Sequence, residues 1–413
     1  MPIPQDPSPD NSLALLREGY AFISSRCRRF GSDLFRTRIM LTPVVCMQGA
    51  EAARHFYSPD LFTRRSAMPQ TSLRLIQDVG SVMVMNGASH RHRKAMFMSL
   101  MGGDAMRRLG EITARVWADE VRAWEGRDRV VLFHDTHRPL TRAVCEWAGV
   151  PMSADEAGER AREFEAMVEG TGSLGPRNWR GHWLRRRNER WMRGIVRRVR
   201  SGEIDAPEGS AARVIATHRD DEGRLLDERV AGVELINILR PTVANARYVT
   251  FAAMALHDHP EWRERIARDE TCLEHFVHEV RRYYPFIPFI GGRVLTPFEW
   301  RGHSFAKDDW ALIDLYGTNR DPRAWDDADT FNPDRFKAFN GNPFTFIPQG
   351  GGDHATTHRC PGEWVTIEQM KVLSRALATT MRYDVPAQDL TIDLGRMPAL
   401  PNSRFVMTGV RAA

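Results

Sequence analysis

The 413-residue chain has no CxxC pair, and its five cysteines, Cys27, Cys46, Cys145, Cys272 and Cys360, are scattered and odd in number. That excludes a zinc ribbon, a thioredoxin-type motif and a disulfide framework, and it fits a reducing, cytoplasmic setting. No run of 18 apolar residues occurs, so no membrane anchor is expected. The opening MPIPQDPSPDNS lacks the basic-then-apolar order of a signal peptide. No internal repeat and no linker divides the chain.

Hydrophobic residues make up 42% and charged residues 27%, enough apolar content for one large domain with a substantial core. The net charge is +5 and the pI about 9.1, compatible with anionic substrates, acidic partners or nucleic acid. Residues 176–200 are rich in Arg, with Trp179, Trp183 and Trp191 interleaved. A nucleic-acid patch and the basic, solvated face of an amphipathic helix both fit. No nucleic-acid fold motif accompanies the stretch, which favours the helix face.

Apolar spacings of three and four predict helices over 105–124, 155–168, 183–199, 228–257 and 274–284, the last ended by Pro285. A final helix is predicted over 361–381. Strand-like runs are few: 39–45, 289–295 and 310–316. Residues 318–359 read as loop, and 1–12 as a poorly ordered Pro-rich arm. The sum is one mainly α domain, 13–413, with small β-sheets.

Four stretches carry possible chemistry. Cys360, in QGGGDHATTHRCPGEW, closes a Gly-rich loop and opens a helix with Pro361 at its first position. A helix N-terminus favours a thiolate; a lone Cys is also a common small core residue. Glu279 and Arg282, three apart on a helix, can pair. Arg240-Pro241 sits in the apolar run ELINILRPTVANARYVTF. A proline inside a helix costs ~3 kcal/mol, and a buried Arg demands an anion. That anion is either an internal partner such as Glu234 or a ligand. In His90-Arg91-His92-Arg93-Lys94, the two histidines are two apart and do not share a helix face, which argues against a metal site.

In their order, HRPLTRAVCEWAGVP, INILRPTVA, EVRRYYPF, FIPQGGGDH and RYDVP resemble the fatty-acid peroxygenase family of the cytochrome P-450 superfamily, over residues 12–407. The α-hydroxylating members look most similar. The resemblance implies haem b, with Cys360 as the axial thiolate and the long loop from Gln349 to Asp353 beside it. It implies a buried Glu279–Arg282 pair with Arg335 as third partner, His92 and Arg64 on the haem propionates, and Gln349 among the cofactor-binding residues. The superfamily's acid–alcohol pair is absent, and Arg240-Pro241 stands in its place. By resemblance, Arg240 binds the carboxylate of a long-chain fatty acid, Pro241 shapes the distal pocket, and hydrogen peroxide is the co-substrate, with no obligatory redox partner. Phe289 and Ile290 are candidate channel walls. Met83 stands where relatives have Gln or His, which leaves α-hydroxylation, β-hydroxylation and decarboxylation to an alkene as possible outcomes. The competing expectations are a reductase-dependent monooxygenase and a non-catalytic haem sensor.

Overall fold

The computed structural model describes residues 3–76, 80–173 and 175–413. Ten of its helices build the core and the surfaces around it: α1 Ser12–Glu18, α2 Gln70–Ile76, α3 Gly87–Ser99, α4 Gly103–Trp124, α5 Ala154–Gly170, α6 Pro176–Arg200, α7 Glu228–Val243, α8 Ala246–Asp258, α9 Glu270–Tyr283 and α10 Glu363–Arg375. Their spacing explains their packing. In α4 the buried set Met106, Leu109, Thr113, Val116, Trp117 and Val121 forms one stripe at helical period. α5 starts on a capping box: Ser153 Oγ accepts from the Glu156 N–H while Glu156 accepts from the Ser153 N–H. α6 starts earlier than periodicity suggested because Pro176, at its first turn, is already set for helix.

Strands β1 Leu34–Ile39, β2 Thr42–Met47, β3 Phe62–Thr63, β4 Phe289–Val294 and β5 Trp310–Asp314 form one sheet in the order β1-β2-β5-β4-β3. The predicted strand 39–45 is in fact a hairpin. Met40 and Leu41 both take positive φ (51° and 59°) and turn the chain between β1 and β2. A three-stranded sheet near the C-terminus and a two-stranded ribbon complete the β structure of the described residues.

Three further expectations need correction. Residues 228–257 form two helices, because the backbone N–H that Pro241 lacks weakens the last turn of α7 and the chain breaks at Ala244-Asn245. The helix expected to Met381 ends at Arg375, opens into a π-helical turn over Ala376–Thr380, and gives way to the strand Met381–Asp384. The Pro-rich arm is tied down from residue 3. Asp6 N–H donates to Arg36 O (2.9 Å), and the buried Asp6 carboxylate pairs with Arg26 (2.9 Å) and Arg29 (2.8 Å). No helix among the described residues is long and apolar enough to cross a membrane.

Candidate functional site

Cys360 sits where the Gly-rich loop meets α10, half-buried, its N–H donating to Gln349 O (3.0 Å). Burial pushes its thiol up, against the Gly362 N–H and the charges of Lys94 and Arg281, which favour the thiolate. Gln349 does not face outward. Its Oε1 accepts from Arg281 (3.1 Å) and its amide donates to Thr366 Oγ1 (3.1 Å). Thr366 in turn donates to Asn245 Oδ1 (3.2 Å) at the α7–α8 break. A buried hydrogen-bond chain therefore runs from the Cys360 loop to the α7–α8 break, just past the end of the helix that carries Arg240. Beside it, Glu363 takes Arg281, Arg359 (2.7 Å) and His354 (2.9 Å), and the Arg281 charge helps hold its carboxyl well below the usual range despite burial.

The expected Glu279–Arg282–Arg335 cluster is present. Arg282 Nε and Nη2 each reach a Glu279 oxygen at 2.7 Å, and Arg335 Nε lies 3.2 Å from Glu279 Oε1. Both members of the first pair are wholly buried.

Arg64, directly after β3, is buried against the Phe56 ring (4.0 Å to its centroid). Its Nε and Nη1 have no partner, and burial lowers its pKa to about 10. Gly292 on β4 makes the room: a Cβ there would lie 2.9 Å from Arg64 Nη1. Around Arg64 the fold gathers His90, Lys94, His358 and Tyr57. Lys94 Nζ holds Thr357 O (2.8 Å) and Arg359 O, and burial lowers its pKa to about 8. The His90 and His358 rings are 4.2 Å apart, and burial first, then the neighbouring cations, drives both below the ordinary imidazole value, His90 to about 4. His358 Nδ1 is buried without a partner among the described residues. Such a set of orphaned donors and cations fits the carboxylates of a haem, with Cys360 as the sulfur ligand to its iron.

His92 is not in this cluster. It is exposed and bonds Arg219 O (2.9 Å) on the other side of α3. The periodicity explains the difference: His90 and Lys94, four apart, share the face turned toward Cys360, and His92 lies between them on the opposite one. Arg93 faces a third way and pairs with Glu234 (3.1 Å).

Glu234 is thereby taken, also accepting from the Val82 N–H (2.8 Å), so the internal-partner reading of Arg240 falls. Arg240 is 4% exposed and makes no ion pair among the described residues. Its Nη1 donates to Leu75 O (2.9 Å), at the end of α2. Burial holds it well below the ordinary guanidinium value, the nearby Arg185 adds to this, and the charge of Cys360 opposes it. Arg185 was not foreseen. It is 2% exposed, donates to the same Leu75 O (3.3 Å), pairs with Glu189 (2.9 Å), and leaves its Nη2 without a partner among the described residues. Leu75 is seated by two glycines: a Cβ on Gly170 or Gly181 would meet its Cδ atoms at 3.1 and 3.3 Å.

Pro241, half-buried, follows Arg240 on α7. Met83 lies in the short 3-10 turn Val82–Val84, tied to α7 through the Val82–Glu234 bond. Phe289 and Ile290 do not pack with the cluster around Arg240. Phe289 joins Phe22 and Phe35 on one side of the sheet, and Ile290 joins Val45 and Ala52 on the other. Their pleat alternation sends them to opposite faces. Among the described residues no group of three His, Cys, Asp or Glu could hold a metal by itself, and no cysteine is disulfide-bonded.

A cytochrome P-450 family model matches residues 255–395. The solved structure of cytochrome P-450SP alpha in complex with (R)-ibuprofen is 45% identical and superposes with a TM-score of 0.96, covering 98% of this chain and 99% of that one. Cytochrome P-450EX alpha with myristic acid is 41% identical, with a TM-score of 0.96 and full coverage of both chains. At lower identity, 22% over 410 residues, abscisic acid 8'-hydroxylase 3 of Oryza sativa subsp. indica aligns with 91% of this chain and 79% of its own length.

Proposed function

From the premise that the chain belongs to the fatty-acid peroxygenase family of the cytochrome P-450 superfamily, as a haem-thiolate oxidoreductase, we propose that it hydroxylates long-chain fatty acids at the α carbon with hydrogen peroxide, without a redox partner, in the cytoplasm. The observation that carries this reading is Arg240, a buried guanidinium on α7 with no carboxylate partner among the described residues. When bound, haem iron supplies the activation of peroxide for C–H oxidation.

Arg240 supplies the anchor. A fatty-acid carboxylate there forms a charge-assisted pair, with Arg185 Nη2, unpartnered among the described residues, as a second cationic donor. Held in place, the carboxylate oxygen is a base and then an acid for the peroxide proton, taking over from the missing acid–alcohol pair. Anchoring at the carboxyl end leaves the α carbon nearest the reacting centre, so regiochemistry follows from proximity. Met83 donates neither a proton nor a hydrogen bond, and this favours hydroxylation over routes needing a donor at that position.

The low-identity hydroxylase relatives favour a second reading, a reductase-dependent monooxygenase. Ferric enzyme, myristic acid and hydrogen peroxide without reductase separate the two. A 2-hydroxy acid from wild type that is lost in Arg240→Ala supports the peroxygenase. Turnover that appears only with a reductase system overturns it.

A further inference from the structure

Seven large apolar side chains stand exposed among the described residues: Leu13, Leu16, Met40, Leu41, Trp179, Trp183 and Leu225. Six of the seven come from three segments that the fold links through successive contacts. Leu13 and Leu16 are on α1, and Met40 and Leu41 form the tip of the β1–β2 hairpin. The tip is tied to the start of α1, since Met40 N–H donates to Ser12 Oγ and Leu41 N–H to Asp10 Oδ2, both at 2.6 Å. Trp179 and Trp183, four apart, share one face of the first turns of α6.

The segment 394–397 bridges these pieces. Tyr20 N–H, just past α1, donates to Leu394 O (3.0 Å), and Gly395 packs so closely on Arg17 O that a Cβ has no room. On its other side, Gly172 is pressed against Met397 O in the same way, and Arg396 pairs with Glu169 (2.9 Å), four residues before Ser173 leads into α6. A cleft opens there, lined by Glu165, Glu169, Arg177, Arg180, Arg396 and Arg404. Its two acids already have partners: Glu165 with His134, Glu169 with Arg247 and Arg396. Arg177 and Arg180 are exposed and make no ion pair among the described residues, while Arg404 is half-buried and its charge acts on Glu165.

We propose that this surface docks peripherally on an anionic phospholipid bilayer. The two tryptophans and the hairpin tip enter the headgroup layer, and Arg177 and Arg180 take lipid phosphates. The shape favours a fluid surface over a folded partner. The apolar groups protrude singly from a turn and two helices, Leu41 at 74% exposure, instead of forming a flat patch. Tryptophan suits the bilayer interface, and unpaired arginines on a chain of net charge +5 complement an anionic leaflet. The proposal stands apart from the reading of Arg240, which it does not use.

The test is flotation of the haem-loaded full chain with vesicles of phosphatidylcholine alone and of phosphatidylcholine mixed with phosphatidylglycerol. Near an anionic surface each basic group is worth roughly fivefold in binding. Arg177→Glu with Arg180→Glu is therefore expected to weaken flotation on the anionic vesicles at least about tenfold. Trp179→Ala with Trp183→Ala weakens it at constant charge. A charge-matched control, Arg108→Glu with Arg382→Glu at exposed positions of α4 and the Met381–Asp384 strand, leaves it within about twofold. No flotation on anionic vesicles, equal flotation on phosphatidylcholine alone, or equal loss in the control overturns the proposal. All six positions are exposed, and circular dichroism of each variant separates lost docking from lost fold.

Discussion

Arg185 and Arg240 donate to one and the same oxygen, the Leu75 carbonyl, at 3.3 and 2.9 Å. Their donor nitrogens are therefore no more than about 6 Å apart, and two buried like charges at that range repel by on the order of 1–3 kcal/mol. The α2 carbonyl, an acceptor that the helix end leaves free, eases the strain without neutralising it. An anion placed between them relieves it. Removing Arg185 is expected to raise the dissociation constant for myristate about tenfold and to leave that for the neutral myristyl alcohol unchanged. Glu189→Gln breaks the Arg185 ion pair but keeps the cation, and it is expected to spare myristate affinity. Spectral titration of the haem-loaded protein reads all three. Equal losses for acid and alcohol would reduce Arg185 to a packing role, and a wild type that does not prefer the acid would sink the carboxylate reading itself.

The contrast between His90 and His92 gives a second prediction. Arg64 and Lys94 point toward the Cys360 side, and His92 points to Arg219. Arg64→Ala is expected to speed haem loss to apomyoglobin by about tenfold, the cost of about one charge-assisted hydrogen bond. His92→Ala is expected to leave the rate within about twofold. The reverse order would restore the assignment that the sequence suggested.

These two sites show what was legible and what was not. The Glu279–Arg282–Arg335 set is found as the resemblance implied, and Arg240 is buried as its apolar run suggested; the role of Cys360 was legible only through the resemblance, because a lone Cys is also a common core residue. His92 was preferred to His90 because none of the five basic residues is apolar, and the apolar run 95–98 that follows is continuous, so it does not show which of them faces inward. Choosing the inward face needed the position of the Cys360 loop, 265 residues away from Lys94 along the chain. Arg185 was hidden for the opposite reason. It lies in a helix with so many arginines that one buried member carries no sequence signal. Leu75, which organises both arginines, acts through its backbone, and no side-chain pattern announces that. The Met40-Leu41 turn was missed because neither residue is a usual left-handed one.

Glu279 bears two arginines at once, Arg282 and Arg335, with no water access. Glu279→Ala leaves two cations facing each other in the interior and is expected to cost about 3–5 kcal/mol in denaturant unfolding. Arg335→Ala removes one arm only, and Arg282 keeps its carboxylate, so its loss is expected to be smaller. If the two variants unfold at the same denaturant concentration, the network is not acting through Glu279.

Asp314 gives a pH-dependent prediction far from Cys360. It ends β5 and caps the short helix Leu315–Asn319, with Oδ1 accepting from the Gly317 N–H at 2.7 Å and the Ser24 backbone N–H also acting on the buried carboxylate. Burial raises its pKa to about 7, against the Gly317 bond and the Arg28 charge, which favour the anion. The folded state thus binds this proton more tightly than the unfolded chain, whose value is near 3.8. The stability Asp314 contributes is complete below about pH 4 and is lost as pH rises through about 7. Asp314→Asn keeps the cap and cannot ionise. It is expected to unfold near wild type at about pH 4 and to be more stable by on the order of 2–4 kcal/mol at about pH 8. Urea midpoints at the two pH values check this. A difference between variant and wild type that does not change with pH would mean that Asp314 is ionised in the folded protein throughout, held by the Gly317 amide and Arg28 against its burial.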